Sequence, residues 1–367
     1  MNSKNIVVKL QDLSKSFENL KVLNKLNLEI IEGEFLTLLG PSGCGKTTLL
    51  NIVAGFLKPD SGSVYLRGKK VNDVKPKDRN LSMVFQSWAL FPHMNVFDNI
   101  AFGLRMKKYP KKEIEKKVKE AIDLVRLSNI SHKFPSQLSG GMQQRVALAR
   151  ALVVESNIVL FDEPLSNLDA SLRKEMQIEL KRIHEKLGIT MLYVTHDQEE
   201  ALTMSDQICV IWAGKILRKG SPLEVYNNPR SKFACNFLGE VNLFYAKVEK
   251  ILNKKIILET EGLNLVAFLD FPSVVGQEIL LALRPEKINI TLSPSSERDN
   301  SFKATIKDLV YRGKSMTYYL DINGKDIIAF GNPKRFIKKG QEVYAEFDPY
   351  DLCVLEDEEG GCFEKSY

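Results

Sequence analysis

Gly40-Pro41-Ser42-Gly43-Cys44-Gly45-Lys46-Thr47 has the spacing GxxxxGK[ST]. It lies between an apolar run, FLTLL, and an apolar helical stretch, LLNIVAGFL. Each residue type answers a need of polyphosphate binding. Glycines let the backbone wrap the phosphates with its N–H groups, and a helix N-terminus adds positive potential. Lys46 supplies a point charge to the β- and γ-phosphates, and Thr47 offers a hydroxyl to Mg²⁺. A chance Gly-rich turn is the alternative, and the flanking strand and helix weigh against it. A second run, Ile158-Val159-Leu160-Phe161-Asp162-Glu163, is an apolar strand ending in two carboxylates. Mg²⁺ takes oxygen ligands and keeps waters, so Asp162 suits it, directly or through water. Glu163 is then free to orient or deprotonate an attacking water. A third run, Leu138-Ser139-Gly140-Gly141-Met142-Gln143-Gln144-Arg145, precedes the helical stretch VALARAL. It can offer helix N–H groups to an anion, or simply cap the helix.

These residues need a scaffold that repeats strand and helix. Strands are expected at 35–39, 81–85, 158–162, 191–194 and 208–212, all apolar without alternation, as central strands covered on both faces are. Between them, residues 111–128 place Ile114, Val118, Ile122 and Val125 on one stripe after Pro110. Residues 171–187 do the same with Leu172, Met176, Leu180, Ile183 and Leu187. The pattern predicts an α/β fold around a mainly parallel sheet. After about residue 235 the texture becomes short and β-rich, with turns such as Asn323-Gly324 and Lys339-Gly340. That predicts a small all-β domain, a barrel or two coupled barrel-like sheets. Glu356-Asp357-Glu358-Glu359 reads as a solvated acidic end.

The whole chain has 367 residues, 44% hydrophobic and 27% charged, which fits two domains, or three, and excludes collagen-like, coiled-coil or wholly disordered chains. No run of uncharged apolar residues is long enough to span a bilayer, and the start lacks the apolar core of a signal peptide. Five scattered cysteines without a CxxC pair point to reduced thiols. The net charge of +6 is concentrated before residue 240. It suits phosphate ligands or a membrane surface, and falls short of a nucleic-acid face, so no nucleic-acid partner is expected. His93, His132 and His184 have no metal-ligand spacing.

Taken together, the three runs resemble the ATP-binding subunits of ABC transporters, as Walker A, Walker B and signature sequence. The resemblance covers residues 7–230 and brings further positions with it. Gln86, in VFQSWALFPHM, resembles the Q-loop glutamine near Mg²⁺ and the γ-phosphate. Asp169, in SNLD, looks like the D-loop aspartate, and His196, in YVTHDQ, like the switch histidine. Phe17, in LSKSF, matches the aromatic that stacks on adenine, with core packing as its alternative. The implied ATP-binding set is Phe17, Gly40, Pro41, Ser42, Gly43, Cys44, Gly45, Lys46, Thr47 and Thr48. Ser139, Gly140 and Gly141 would serve ATP held by the opposite subunit. Thr47, Gln86 and Asp162 would hold Mg²⁺, and Glu163, His196 and Gln86 would be catalytic. The fifth signature residue departs from the family: Met142 stands where glutamine is usual. Cys44 would make ATP hydrolysis sensitive to thiol reagents.

The resemblance implies an α/β cassette with a helical signature subdomain over residues 1–238. A β-rich, oligonucleotide-binding-like transport-associated domain would follow over 239–367. It also implies a homodimer with two shared ATP sites and two separate transmembrane permease subunits. These would dock near residues 86–106, where Phe91 and Met94 are candidates for the groove wall. The cassette would sit at the cytoplasmic face of the cell membrane as a peripheral protein. The sequence stretches around the Q-loop, the switch histidine and the domain junction look closest to the branch importing polyamines. Importers of sugars, ferric iron or glycerol phosphate, and a soluble non-transport ATPase, are the alternatives. An extracytoplasmic polyamine-binding protein would be an indirect partner.

Overall fold

Three apolar runs, Phe35–Leu39, Ile158–Asp162 and Thr190–Thr195, lie side by side and parallel, and their alternate residues face opposite layers. Phe35, Val159, Phe161, Met191 and Tyr193 pack into one core, against helices. Leu36, Leu38, Leu160, Leu192 and Val194 pack into a second core on the other face. Burial on both faces explains why these runs lack polar alternation. The structure, a computed structural model, describes residues 5–356 except 254, 270–272, 296–297 and 334–336. It divides into two compact units between Val225 and Tyr226.

In chain order the first unit contains β1 (Ile6–Phe17), β2 (Leu20–Ile31), β3 (Phe35–Leu39), α1 (Lys46–Ala54), β4 (Ser61–Leu66), β5 (Lys69–Lys70) and β6 (Ser82–Val84). Then come α2 (Val96–Met106), α3 (Lys111–Leu124), α4 (Gly140–Leu152), β7 (Ile158–Asp162), α5 (Ala170–Leu187), β8 (Thr190–Thr195), α6 (Gln198–Met204), β9 (Gln207–Trp212) and β10 (Lys215–Gly220). The six-stranded sheet has the order β10-β9-β3-β8-β7-β6 and is parallel except at β10. Its expected strands are all present. Helix α3 stops at Leu124, and Val125 ends its apolar stripe as the C-cap. On α5, Leu187 is 42% exposed, so that stripe ends at Ile183.

A four-stranded antiparallel sheet, β2-β1-β4-β5, was not expected from the sequence. Its register shifts at several points along β1, and Asp12 and Lys25 have positive φ. Such bulges break the period of two that marks a strand.

The second unit holds two five-stranded antiparallel sheets, and their inner faces share one core built around Leu258, Leu281, Tyr318, Leu320 and Val343. Asn323 and Gly324, both at positive φ, turn the hairpin between Met316–Ile322 and Lys325–Gly331 as that dipeptide predicts. The strand Leu263–Phe268 was not expected; the two-residue turn Glu261-Gly262 ties it to Lys255–Thr260. Helix Lys232–Phe237 packs here through Cys235, against Leu280, Ala282 and Leu355. The Arg284 guanidinium donates to the carbonyls of Cys235, Gly239 and Glu240 at 3.0, 3.1 and 3.2 Å. Beyond Glu356 the acidic end lies outside the described residues.

Candidate active site

The glycine-rich loop leaves the buried end of β3 and enters α1. A Cβ at Gly40 would lie 2.4 Å from the Ile211 carbonyl oxygen, so only glycine fits. Gly45 is the N-cap of α1 at φ 103°, where a side chain would be strained and crowded by Leu23 and Val22. Lys46 is 4% exposed. Its Nζ donates to the carbonyls of Gly40 and Pro41 at 2.8 and 2.7 Å, so the loop folds around its own lysine. Gly43, at φ 81°, has open space around it. Cys44 is buried, and burial raises its thiol pKa above the usual range while Lys46 opposes the rise.

Strand β7 delivers two carboxylates. Thr47 Oγ1 donates to Asp162 Oδ1 at 3.0 Å. Burial raises the Asp162 pKa, and the Thr47 hydrogen bond works against that. Glu163 sits at φ 43°, a left-handed conformation rare for its type, with its N–H bonded to the Val194 carbonyl at 3.0 Å. Its Oε2 lies 3.1 Å from His196 Nδ1, just past the end of β8.

Gln86 follows β6. Its Nε2 donates to Ser166 Oγ at 3.3 Å, and Ser166 Oγ donates to the Glu163 carbonyl at 2.9 Å. Asn167 Nδ2 donates to the Gln86 carbonyl at 3.0 Å. Gln86 is thus tied to the segment after Glu163. Asp169 caps α5, accepting from the N–H groups of Ser171 and Leu172. Trp88 and Ala89 form a turn at φ 59° and 47°. Arg150 of α4 holds that turn by donating to both carbonyls at 2.7 Å, and Trp88 Nε1 donates to the Pro164 carbonyl at 3.2 Å. Sequence reasoning missed Arg150; the only hint was an arginine inside an otherwise apolar helical run.

Ser139 caps α4 by accepting from the Met142 N–H at 3.4 Å. A Cβ at Gly141 would lie 2.6 Å from Leu172 Cδ2, and one at Gly140 3.2 Å from Trp88 Cη2. The signature residues are therefore packed against the Q-loop and α5, while the hydrogen bond of Ser139 stays within its own helix turn. Met142 is 38% exposed. Phe17 is 44% exposed at the end of β1, with Lys15 Nζ 5.5 Å from its ring centroid, so it is not a core residue. Phe91 packs on Phe102 with ring centroids 4.6 Å apart and planes tilted by 45°, whereas Trp88, Leu90 and Phe97 pack against the core.

A glycine loop closed on a lysine at a helix start, with its threonine bonded to a strand-end aspartate, defines a P-loop nucleotide-binding protein. The chain matches the family described as ABC transporter over residues 23–166, and that described as TOBE domain over 281–355. It is 47% identical over 311 residues to the spermidine/putrescine import ATP-binding protein PotA of Vibrio vulnificus strain YJ016, covering 84% of this chain and 82% of the relative. It is 40% identical over 365 residues to the protein of that name from Fusobacterium nucleatum, covering 95% and 97%. Among solved structures it resembles the dimeric, ADP- and phosphate-bound post-hydrolysis cassette MJ0796. There the TM-score is 0.53 and the identity 35%, over 59% of this chain and 98% of that one. It also resembles cbiO1 of Clostridium perfringens, part of the ABC transporter complex cbiONQ, with TM-score 0.57 and 31% identity over 61% and 91%. The chain belongs to the ABC transporter ATP-binding proteins, as an ATPase cassette followed by a TOBE domain. Among the described residues, no helix is long and apolar enough to cross a membrane.

Proposed function

We propose that this chain hydrolyses ATP to power polyamine uptake through separate transmembrane subunits. The observation that carries the substrate class is the match to polyamine-import ATP-binding proteins over nearly the whole chain, TOBE domain included. Two copies would face head to tail, each ATP lying between the phosphate loop of one and Ser139–Gly141 of the other. The dimeric solved relative MJ0796 supports pairing of two cassettes. The pair would sit at the cytoplasmic face of the membrane, with permease subunits docked beside Phe91 and Met94. An extracytoplasmic polyamine-binding protein would work with it only indirectly.

The residue roles follow from chemistry. On reaching ATP, Lys46 would exchange the Gly40 and Pro41 carbonyls for phosphate oxygens. Thr47 and Asp162 offer two hard oxygen donors on one face, which suits Mg²⁺, and Gln86 would approach the same ion. An Mg²⁺ ion held by these residues would supply neutralising charge to the phosphates. Glu163 would take the proton of the attacking water, with His196 orienting its carboxylate and contacting the γ-phosphate. Phe17 offers an exposed ring for adenine.

The Met142 side chain is exposed and only its N–H is used by the cap. Met142→Gln should therefore change ATPase turnover by less than about threefold; a gain on the order of 10³-fold would mark this signature as crippled. The substrate is tested by deleting the gene and measuring uptake of labelled spermidine, putrescine, a maltooligosaccharide, ferric iron and glycerol phosphate. Loss of polyamine uptake alone supports the proposal. Loss of another substrate overturns the polyamine assignment and keeps the transport ATPase.

A further inference from the structure

Arg173 lies in the first turn of α5 and touches two segments. Its Nη2 donates to the Leu168 carbonyl at 3.1 Å. Its Nη1 meets Asp197 Oδ2 at 3.4 Å. Leu168 belongs to the loop Ser166–Asp169, whose Ser166 bonds both Gln86 and the Glu163 carbonyl. Asp197 directly follows His196, and its other oxygen, Oδ1, caps α6 by accepting from Glu199 and Glu200. One carboxylate thus anchors a helix and meets the arginine.

Arg173 Nε is buried and has no acceptor among the described residues. Arg173 also lines a cavity of about 70 Å³ whose walls include Glu163, Ser166, Thr195 and His196. The cavity is polar and large enough for water, which would satisfy that N–H. An arginine held by both planar ends transmits a displacement of one partner to the other, since its fork is rigid.

We propose that Arg173 is a positioning residue that couples the Ser166–Asp169 loop to His196, and through His196 to Glu163. The proposal rests on the roles given above to Glu163 and His196. It makes the orientation of the base depend on the loop that Gln86 contacts, along a chain of contacts from Gln86 through Ser166, Leu168, Arg173 and Asp197.

The test is a double-mutant cycle in the full-length chain, with steady-state ATPase and ATP binding measured for Arg173→Met, Asp197→Asn and the pair. Asparagine keeps the cap acceptor and removes the charge. Each single variant should lose about tenfold in kcat with KM and ATP affinity within about twofold, and the pair should be no worse than the poorer single. Arg173→Lys should recover part of the loss, because an ammonium reaches one partner of the two. Unchanged kcat in Arg173→Met overturns the proposal. So do losses that multiply in the pair, or a raised KM at unchanged kcat. Should Arg173→Met fail to fold in a thermal melt, Arg173→Lys with Asp197→Asn closes the same cycle. Lys46→Ala in the same assay reports separately on the nucleotide site: retained ATP binding there would count against that site.

Discussion

Glu163→Gln should lower the ATPase kcat by about 10³-fold while ATP still binds, because removing a general base in proton transfer costs about 10²–10⁴-fold. The geometry gives the substitution a narrow effect. Glutamine has the volume of glutamate and keeps an amide near His196, 3.1 Å away in the native pair. The bend at Glu163 is fixed by its own N–H on the Val194 carbonyl, which the variant retains. The glycine-rich loop and the Thr47–Asp162 pair are untouched, so the altered protein should bind ATP and stall. Single-turnover kinetics read the chemical step directly. Hydrolysis near the native rate would remove Glu163 as the base.

Lys46→Ala should weaken ATP binding by roughly 10²-fold, since hydrogen bonds to charged groups are worth about 1.5–3 kcal/mol. A second consequence comes from the ligand-free loop. The Gly40 and Pro41 carbonyls now accept from Nζ, and alanine leaves both to find other donors such as water. The loop should then lose its closed form, and its amide protons should exchange faster with solvent than in the native chain. Equilibrium nucleotide binding and hydrogen exchange check the two effects. Tight ATP binding by the variant would contradict the role of Lys46.

The local geometry of the candidate site residues is legible because each group lies in a short run. Gly40–Thr47, Asp162-Glu163, Ser139–Gly141 and His196 all sit at strand or helix ends, where local sequence sets local geometry. The central strands were legible for a related reason: burial on both faces leaves uninterrupted apolar runs. What was not legible depends on distant contacts. Arg150 holds Trp88 and Ala89 from 62 and 61 residues away, and Trp88 reaches Pro164 across 76. Arg173 looks like any surface arginine on a helix until Asp197 is placed beside it. The burial of Cys44 also depends on packing, since nothing in the loop sequence alone places its side chain inside. The antiparallel sheet of β1, β2, β4 and β5 was hidden by bulges that scramble its alternation.

The central claim is that ATP turnover at this site drives uptake. The most direct test replaces the native gene with Lys46→Ala or Glu163→Gln, matches protein abundance, and measures labelled spermidine and putrescine uptake. Both variants are predicted to abolish uptake to the level of the deletion. Uptake at the native rate with either variant would contradict the claim.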